Sequence, residues 1–250
     1  MGARKSPDEI RMMASAGRVV AEMHEVCVNA ARPGATTLDI DHAAREVLAR
    51  RGADSNFLGY HGFPAVICTS PNAVVVHGIP DATVLEHGDI ISLDCGAIID
   101  GWHADAAITV AVGTIDAESQ RLIDVTRASL DRAIEQLVVG QNLADVGGAA
   151  EHVADAAGFS MVREYVGHGI GTAMHEAPEV PNYRTPRGRR HRIRTGLVVA
   201  IEPMVTVGSP ETEVLDDGWT VVTVDGRRAA HFEHTIAVTD DGPVILTLPG

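Results

Sequence analysis

Four acidic residues interrupt apolar runs in this 250-residue chain: Asp94 in IISLDCGAII, Asp105 in WHADAAITV, Glu202 in LVVAIEPM and Glu233 in AAHFEHTIAV. Buried Asp and Glu are uncommon unless they are paired or hold a metal. Pairing is poorly served here, because these segments hold no lysine and the only arginines beside them are Arg227 and Arg228. A fifth group is His168, set between Gly167 and Gly169 in the stretch YVGHGIGTAMHEAPEVPNY from Tyr165 to Tyr183. Glycine on both sides suggests a backbone that approaches something closely. His175 follows seven residues later, a spacing that suits neither an i,i+4 zinc pair on a helix nor a zinc finger. Carboxylates with one imidazole make an oxygen-rich site of the kind that holds two divalent cations about 3.5–4 Å apart. Such a pair polarises a carbonyl and makes water a nucleophile near neutral pH, which is hydrolytic chemistry. Buried acids with ordinary partners are the competing reading.

The elements that must position these groups can be read in order. Ser6-Pro7-Asp8-Glu9 is a helix start, with Ser6 as N-cap, Pro7 at the first helical position and Glu9 closing a capping box. Apolar spacing carries that helix to about Ala31, and Pro33-Gly34 breaks it. A second helix is expected from Thr37 to Arg51, stopped by Gly52. FLGYHGFP, from Phe57 to Pro64, is a loop leading into the strand AVICTS, and NAVVVHGIP is an apolar segment ending at His77. Two β-type runs joined at Asp100-Gly101 form a hairpin that brings Asp94 and Asp105 near each other across the ladder. Helical character returns over residues 116–137 and 143–157. Strands are expected over 162–165, 197–201, 220–224 and 229–238. Helices followed by strands in each half make a duplicated α+β unit plausible, and no linker divides the chain, so residues 1–250 are taken as one domain.

Composition sets the outer bounds. A net charge of -14 argues against a general nucleic-acid or anionic-membrane binder. No apolar run reaches the length of a membrane span, and MGARKSPDEI lacks a signal-peptide core. Cys27, Cys68 and Cys95 form no CxxC pair, which fits free thiols in a reducing cytoplasm.

The five groups, in the settings SLDCG, HADAA, GHGIG, IEPM and FEHT, resemble the metal ligands of the type I methionine aminopeptidases. These belong to the creatinase-like, or pita-bread, metallopeptidases, and the resemblance covers nearly the whole chain. It implies an α+β fold of two pseudo-symmetric halves around a central curved antiparallel sheet. It further implies a hydrolase that removes the initiator methionine when the second residue is small. Asp105 and Glu233 would bridge two divalent ions (Co, Mn, Fe or Zn), Asp94 would chelate one, and His168 and Glu202 would complete the other. Glu202 would also shuttle the proton of the attacking water. His175 would donate to the scissile carbonyl or the tetrahedral intermediate, and His77 would hydrogen-bond the peptide near the scissile amide. Taken alone, His77 reads equally as a turn histidine.

The methionine pocket implied by the resemblance draws on Phe57, Tyr60, Phe63, Cys68, Met174 and Trp219, aromatic and sulfur walls that suit a thioether. Met174 stands where relatives often have an aromatic, and Gly96 where many carry a hydroxyl. Asn72 and Val74 fall where relatives bind a monovalent cation through the backbone. Expected partners are N-terminal-methionine peptides and nascent chains, met by a monomer with no membrane and no specific DNA contact. The basic run from Arg184 to Arg194 reads as a solvated loop, with a ribosome-facing patch as the sharper alternative. Two rivals stand against an aminopeptidase: a proline peptidase of the same fold, and a non-catalytic peptide-binding relative. The first usually carries a separate N-terminal domain, and the second has lost ligands that are all present here. The 27 residues from His175 to Glu202 leave no room for the type II helical insertion.

Overall fold

Caps decide where the helices of this computed structural model begin. It describes residues 4–186 and 191–250. In α1 (Pro7–Ala30) the Ser6 side chain accepts from the Glu9 amide while Glu9 reaches back, closing the capping box. Thr36 and Asp39 do the same for α2 (Thr37–Arg51), which ends at Gly52 in the left-handed region, φ 61°. Asp116 caps α3 (Ala117–Glu135), and α4 follows at Leu143–Ala156. One face of α1, through Met13, Ala16, Val20, Met23 and Cys27, is buried.

Each pair of helices packs on its own antiparallel strands. The long hairpin of Ile90–Ile99 and Trp102–Ala111 turns at Asp100 and Gly101, both at positive φ, and backs onto α1. Asp54–Ser55 and Ile67–Pro71 flank its first arm. Together with α2 these elements enclose one core, built on Val20, Met23, Ile40, Val47, Ile67, Ile91 and Leu93. The other core gathers α3 and α4 against the strands Val198–Ile201 and His234–Thr239, through Leu122, Leu130, Leu143, Val199 and Ile236. The expected two-half α+β arrangement is present, with its antiparallel layer divided into four hydrogen-bonded sets.

Two expectations need correction. The segment 162–165 is not a strand: Val162 makes one ladder bond to the Met204 carbonyl, and pairing resumes only at Gly167–Gly169. The run 229–238 is two strands, Ala229–His231 and His234–Thr239, in different sheets. Between them the backbone N–H and C=O of Glu233 pair with Ala107 of the hairpin. The facing chain breaks at the same level, between Val198–Ile201 and Met204–Thr206, where Pro203 has no amide to give. Glu202 and Glu233 thus sit at paired breaks in one crease. The hairpin does bring Asp94 and Asp105 together as expected: Asp94 lies opposite Ala107 and Asp105 opposite Gly96, so the two carboxylates share a face on the diagonal.

The C-terminal segment closes over α1 at Gly17, where an added Cβ would collide with the Leu246 carbonyl. Gly17→Ala is expected to cost about 1–3 kcal/mol, as overpacking against backbone does. Urea denaturation checks this, and an unchanged midpoint would contradict it.

Candidate metal centre and active site

Glycine at 167 and 169 is dictated by the sheet around His168. A Cβ at Gly167 would run into the Ala200 carbonyl, and one at Gly169 into the Ala177 carbonyl. The tight ladder fixes the histidine, and its Nδ1–H donates to the Gly169 carbonyl at 3.0 Å. Nε2 is therefore left as the free lone pair. It lies 3.6 Å from Asp105 Oδ2 and 3.6 Å from Glu202 Oε1. Ligand atoms of Asp105, His168 and Glu233 all lie within 4.8 Å of one another. Thr235 holds Asp105 through its hydroxyl, which donates to the carboxylate Oδ1 at 3.1 Å and accepts from the Asp105 amide at 3.0 Å. Asn182 donates from Nδ2 to the Glu202 carbonyl at 3.0 Å, anchoring the crease.

The thirteen side chains expected as metal ligands, catalytic groups or pocket walls line one cavity of about 140 Å³. Phe57, Phe63, Cys68 and Met174 form a buried apolar cluster, with Tyr60 and Trp219 packed on it. Cys68 is the cross-strand neighbour of Asp94, so the apolar wall begins where the carboxylates end. Phe63 and Trp219 meet edge to face with centroids 5.1 Å apart, and His77 packs edge-on against Trp219 and Tyr165. His77 is held at φ 60°. His175 stands at the exposed rim, its ring 4.1 Å from that of His168.

Several contacts were not legible in the motifs. The Tyr60 hydroxyl lies 2.8 Å from His175 Nδ1, so Tyr60 orients a polar group as well as walling the pocket. Thr235 lies two residues beyond Glu233, early in the strand His234–Thr239, and that closeness in sequence was the available signal. His231 is buried, with Nε2 unpartnered and 3.9 Å from Glu202 Oε2. At Gly96 a side chain would strike Asn56, whose amide bonds the Ala104 carbonyl and His103. Asn56 thus occupies the space that a hydroxyl residue at 96 would need. Near the expected monovalent site, the Asn72 carbonyl accepts from the Ala229 amide.

Among the described residues, no lysine or arginine pairs with Asp94, Asp105, Glu202 or Glu233; the basic groups beside them are His168, near Asp105 and Glu202, and His231, near Glu202. Burial, then the neighbouring Asp105 charge, pushes Asp94, Glu202 and Glu233 well above the usual carboxylate range, and burial raises Asp105 to about 6. Burial pulls His168 down, and His77 down to about 4. Asp94 Oδ1 is buried without a hydrogen-bond partner. Oxygen donors, one imidazole lone pair and uncompensated negative charge fit divalent cations.

The family model described as Metallopeptidase family M24 matches residues 11–240. The chain belongs to metallopeptidase family M24. Within M24, the chain is 51% identical over 252 residues to methionine aminopeptidase 1 of Mycobacterium tuberculosis, covering 98% of this chain and 94% of that one. It is 46% identical to the methionine aminopeptidase of Clostridium perfringens, over 98% of both. The crystal structure of the Thermotoga maritima methionine aminopeptidase superposes with a TM-score of 0.96 at 42% identity, covering 99% of this chain and 100% of that one. The prolidase from Pyrococcus furiosus shares the fold at 18% identity, with a TM-score of 0.80, and this chain spans 66% of it. The architecture is the pita-bread fold of M24 metallopeptidases. Among the described residues, no helix is long and apolar enough to cross a membrane.

The titrations carry a sign that can be tested. Above about pH 7.5, a unit over the ordinary histidine value, the imidazoles are essentially neutral in the folded and unfolded chain alike. A carboxyl with a raised folded value binds more protons folded than unfolded, so stability falls as pH rises. Metal-stripped protein is expected to lose Tm from about pH 7.5 to about pH 9, and saturating divalent metal to remove most of that slope. Thermal denaturation across the range checks it; a metal-stripped Tm that rises with pH would contradict it.

Proposed function

We propose that the chain removes N-terminal methionine from peptides and nascent chains when the second residue is small. Residues 1–250 act as one catalytic unit. The observation that carries this reading is adjacency: the apolar wall of Phe57, Phe63, Cys68 and Met174 opens directly onto the carboxylate–histidine cluster. Asp94, Asp105, His168, Glu202 and Glu233 would hold two divalent cations drawn from Co, Mn, Fe or Zn. When bound, such a pair supplies Lewis acidity and lowers the pKa of water at the site.

The side chains do the rest. The wall seats the methionine thioether, with Trp219 and Tyr60 closing it. Glu202 takes a proton from the attacking water and delivers it to the departing amine nitrogen. With the Tyr60 hydroxyl donating to Nδ1, His175 carries its proton on Nε2 and donates it as a hydrogen bond to the developing oxyanion. His77 hydrogen-bonds the peptide beside the scissile amide. A monovalent cation near Asn72 and Val74, a cytoplasmic location and a monomeric state belong to the same proposal. Arg184 pairs with Asp145, and Arg192 donates to the Gly140 carbonyl, so ribosome contact would fall to the other arginines of the run. Arg189 and Arg190, its central pair, lie outside the described residues.

Free methionine released from Met-Ala and Met-Gly peptides by metal-loaded protein tests the proposal. Glu202→Gln is expected to lower kcat by about 10²–10⁴-fold, and His175→Ala by about 10²–10³-fold with little change in KM. Cleavage of Xaa-Pro dipeptides without methionine release would instead favour a proline peptidase.

A further inference from the structure

The loop that carries Met174 and His175 is exposed at Thr172, Ala173 and His175, yet its backbone is fastened from below. Glu176 Oε1 accepts from the Thr172 amide at 2.9 Å and the Ala173 amide at 3.4 Å. The Gly171 carbonyl accepts from the His103 amide at 2.8 Å, tying the loop to the hairpin that bears Asp105. The other carboxylate oxygen of Glu176 pairs with the Lys5 ammonium. Lys5 is 8% exposed, an unusual depth for a lysine. Its backbone amide donates to the Gly196 carbonyl at 2.7 Å, and Arg4 Nε to the Thr195 carbonyl at 2.9 Å. The end of the lysine side chain lies where a Cβ at Gly171 would stand, so the loop is packed on the ammonium itself.

We propose that Lys5 is a positioning residue for the 171–175 loop: its buried ammonium fixes Glu176, and Glu176 fixes the amides that aim His175 and set the Met174 wall. The inference rests on the role given to His175 above. Removing the ammonium leaves a half-buried carboxylate without its counter-charge, and that carboxylate turns toward water. The amides of Thr172 and Ala173 then lose their acceptor. A displacement of about 1 Å at a donor to the developing oxyanion costs rate with little effect on ground-state binding.

Lys5→Met is the direct test, read by site-resolved amide hydrogen exchange, by kcat and KM on a Met-Ala peptide, and by divalent-metal affinity. Faster exchange confined to residues 171–175 is expected, with kcat lower by about tenfold and metal affinity unchanged. Combining Lys5→Met with Glu176→Gln removes both charges while keeping an acceptor oxygen, and is expected to regain protection at Thr172 and Ala173. If Lys5→Met does not fold, Glu176→Gln alone carries the same readouts, through the unpaired ammonium and a weaker acceptor. Unchanged exchange over 171–175 in the folded variant, or no recovery in the double variant, would overturn the proposal. Faster loop exchange with unchanged kcat would uphold the positioning and count against His175 as the donor.

Discussion

Four carboxylates converge on one cavity with no lysine or arginine among the described residues to balance them, and much of the local structure follows from that constraint. Like charges held this close in a dry site repel strongly, so the chain alone would rather protonate them. Each is nonetheless fastened in place. Thr235 grips Asp105, Asn182 grips the Glu202 backbone, and Ala107 pairs with Glu233 on both sides. Such preorganisation makes sense where a positive charge is to be received without rearrangement.

The crease explains how two glutamates on neighbouring strands both reach the cavity. Regular pairing would give Glu202 and Glu233 fixed faces of a continuous ladder. Breaks at Pro203 and at Phe232–Glu233 release both from it, while the two helix-backed cores on either side keep the crease from closing. Rigid halves around a polar seam suit a site that must hold geometry. The His175 loop is the exception, since it lies at the rim and depends on Tyr60 and Glu176 for its aim.

Helix boundaries were legible because their signals are local: Ser6 with Glu9 starts α1, and Gly52 stops α2. The hairpin was legible from Asp100-Gly101 for the same reason. The cavity's acids were legible because acids inside apolar strands are costly, while its apolar wall was legible only through the family resemblance. The hairpin's register was legible too, because a two-residue turn at Asp100-Gly101 sets Ile99 against Trp102 and so Asp105 against Gly96. What the sequence hid was long-range pairing. The break at Glu233 is invisible in AAHFEHTIAV because its cause, Ala107, lies on another strand. Lys5 reads as a surface lysine before a helix until Glu176 is seen beside it.

Cation stoichiometry tests the central claim most directly, that the uncompensated carboxylates exist to hold two divalent ions. Isothermal titration of stripped protein with Mn²⁺ under anaerobic conditions, paired with metal analysis after desalting, gives the count. Two ions per chain are expected in the wild type and one in Asp94→Asn, with His175→Ala unchanged from wild type. No binding, or the same count in Asp94→Asn as in the wild type, would contradict it.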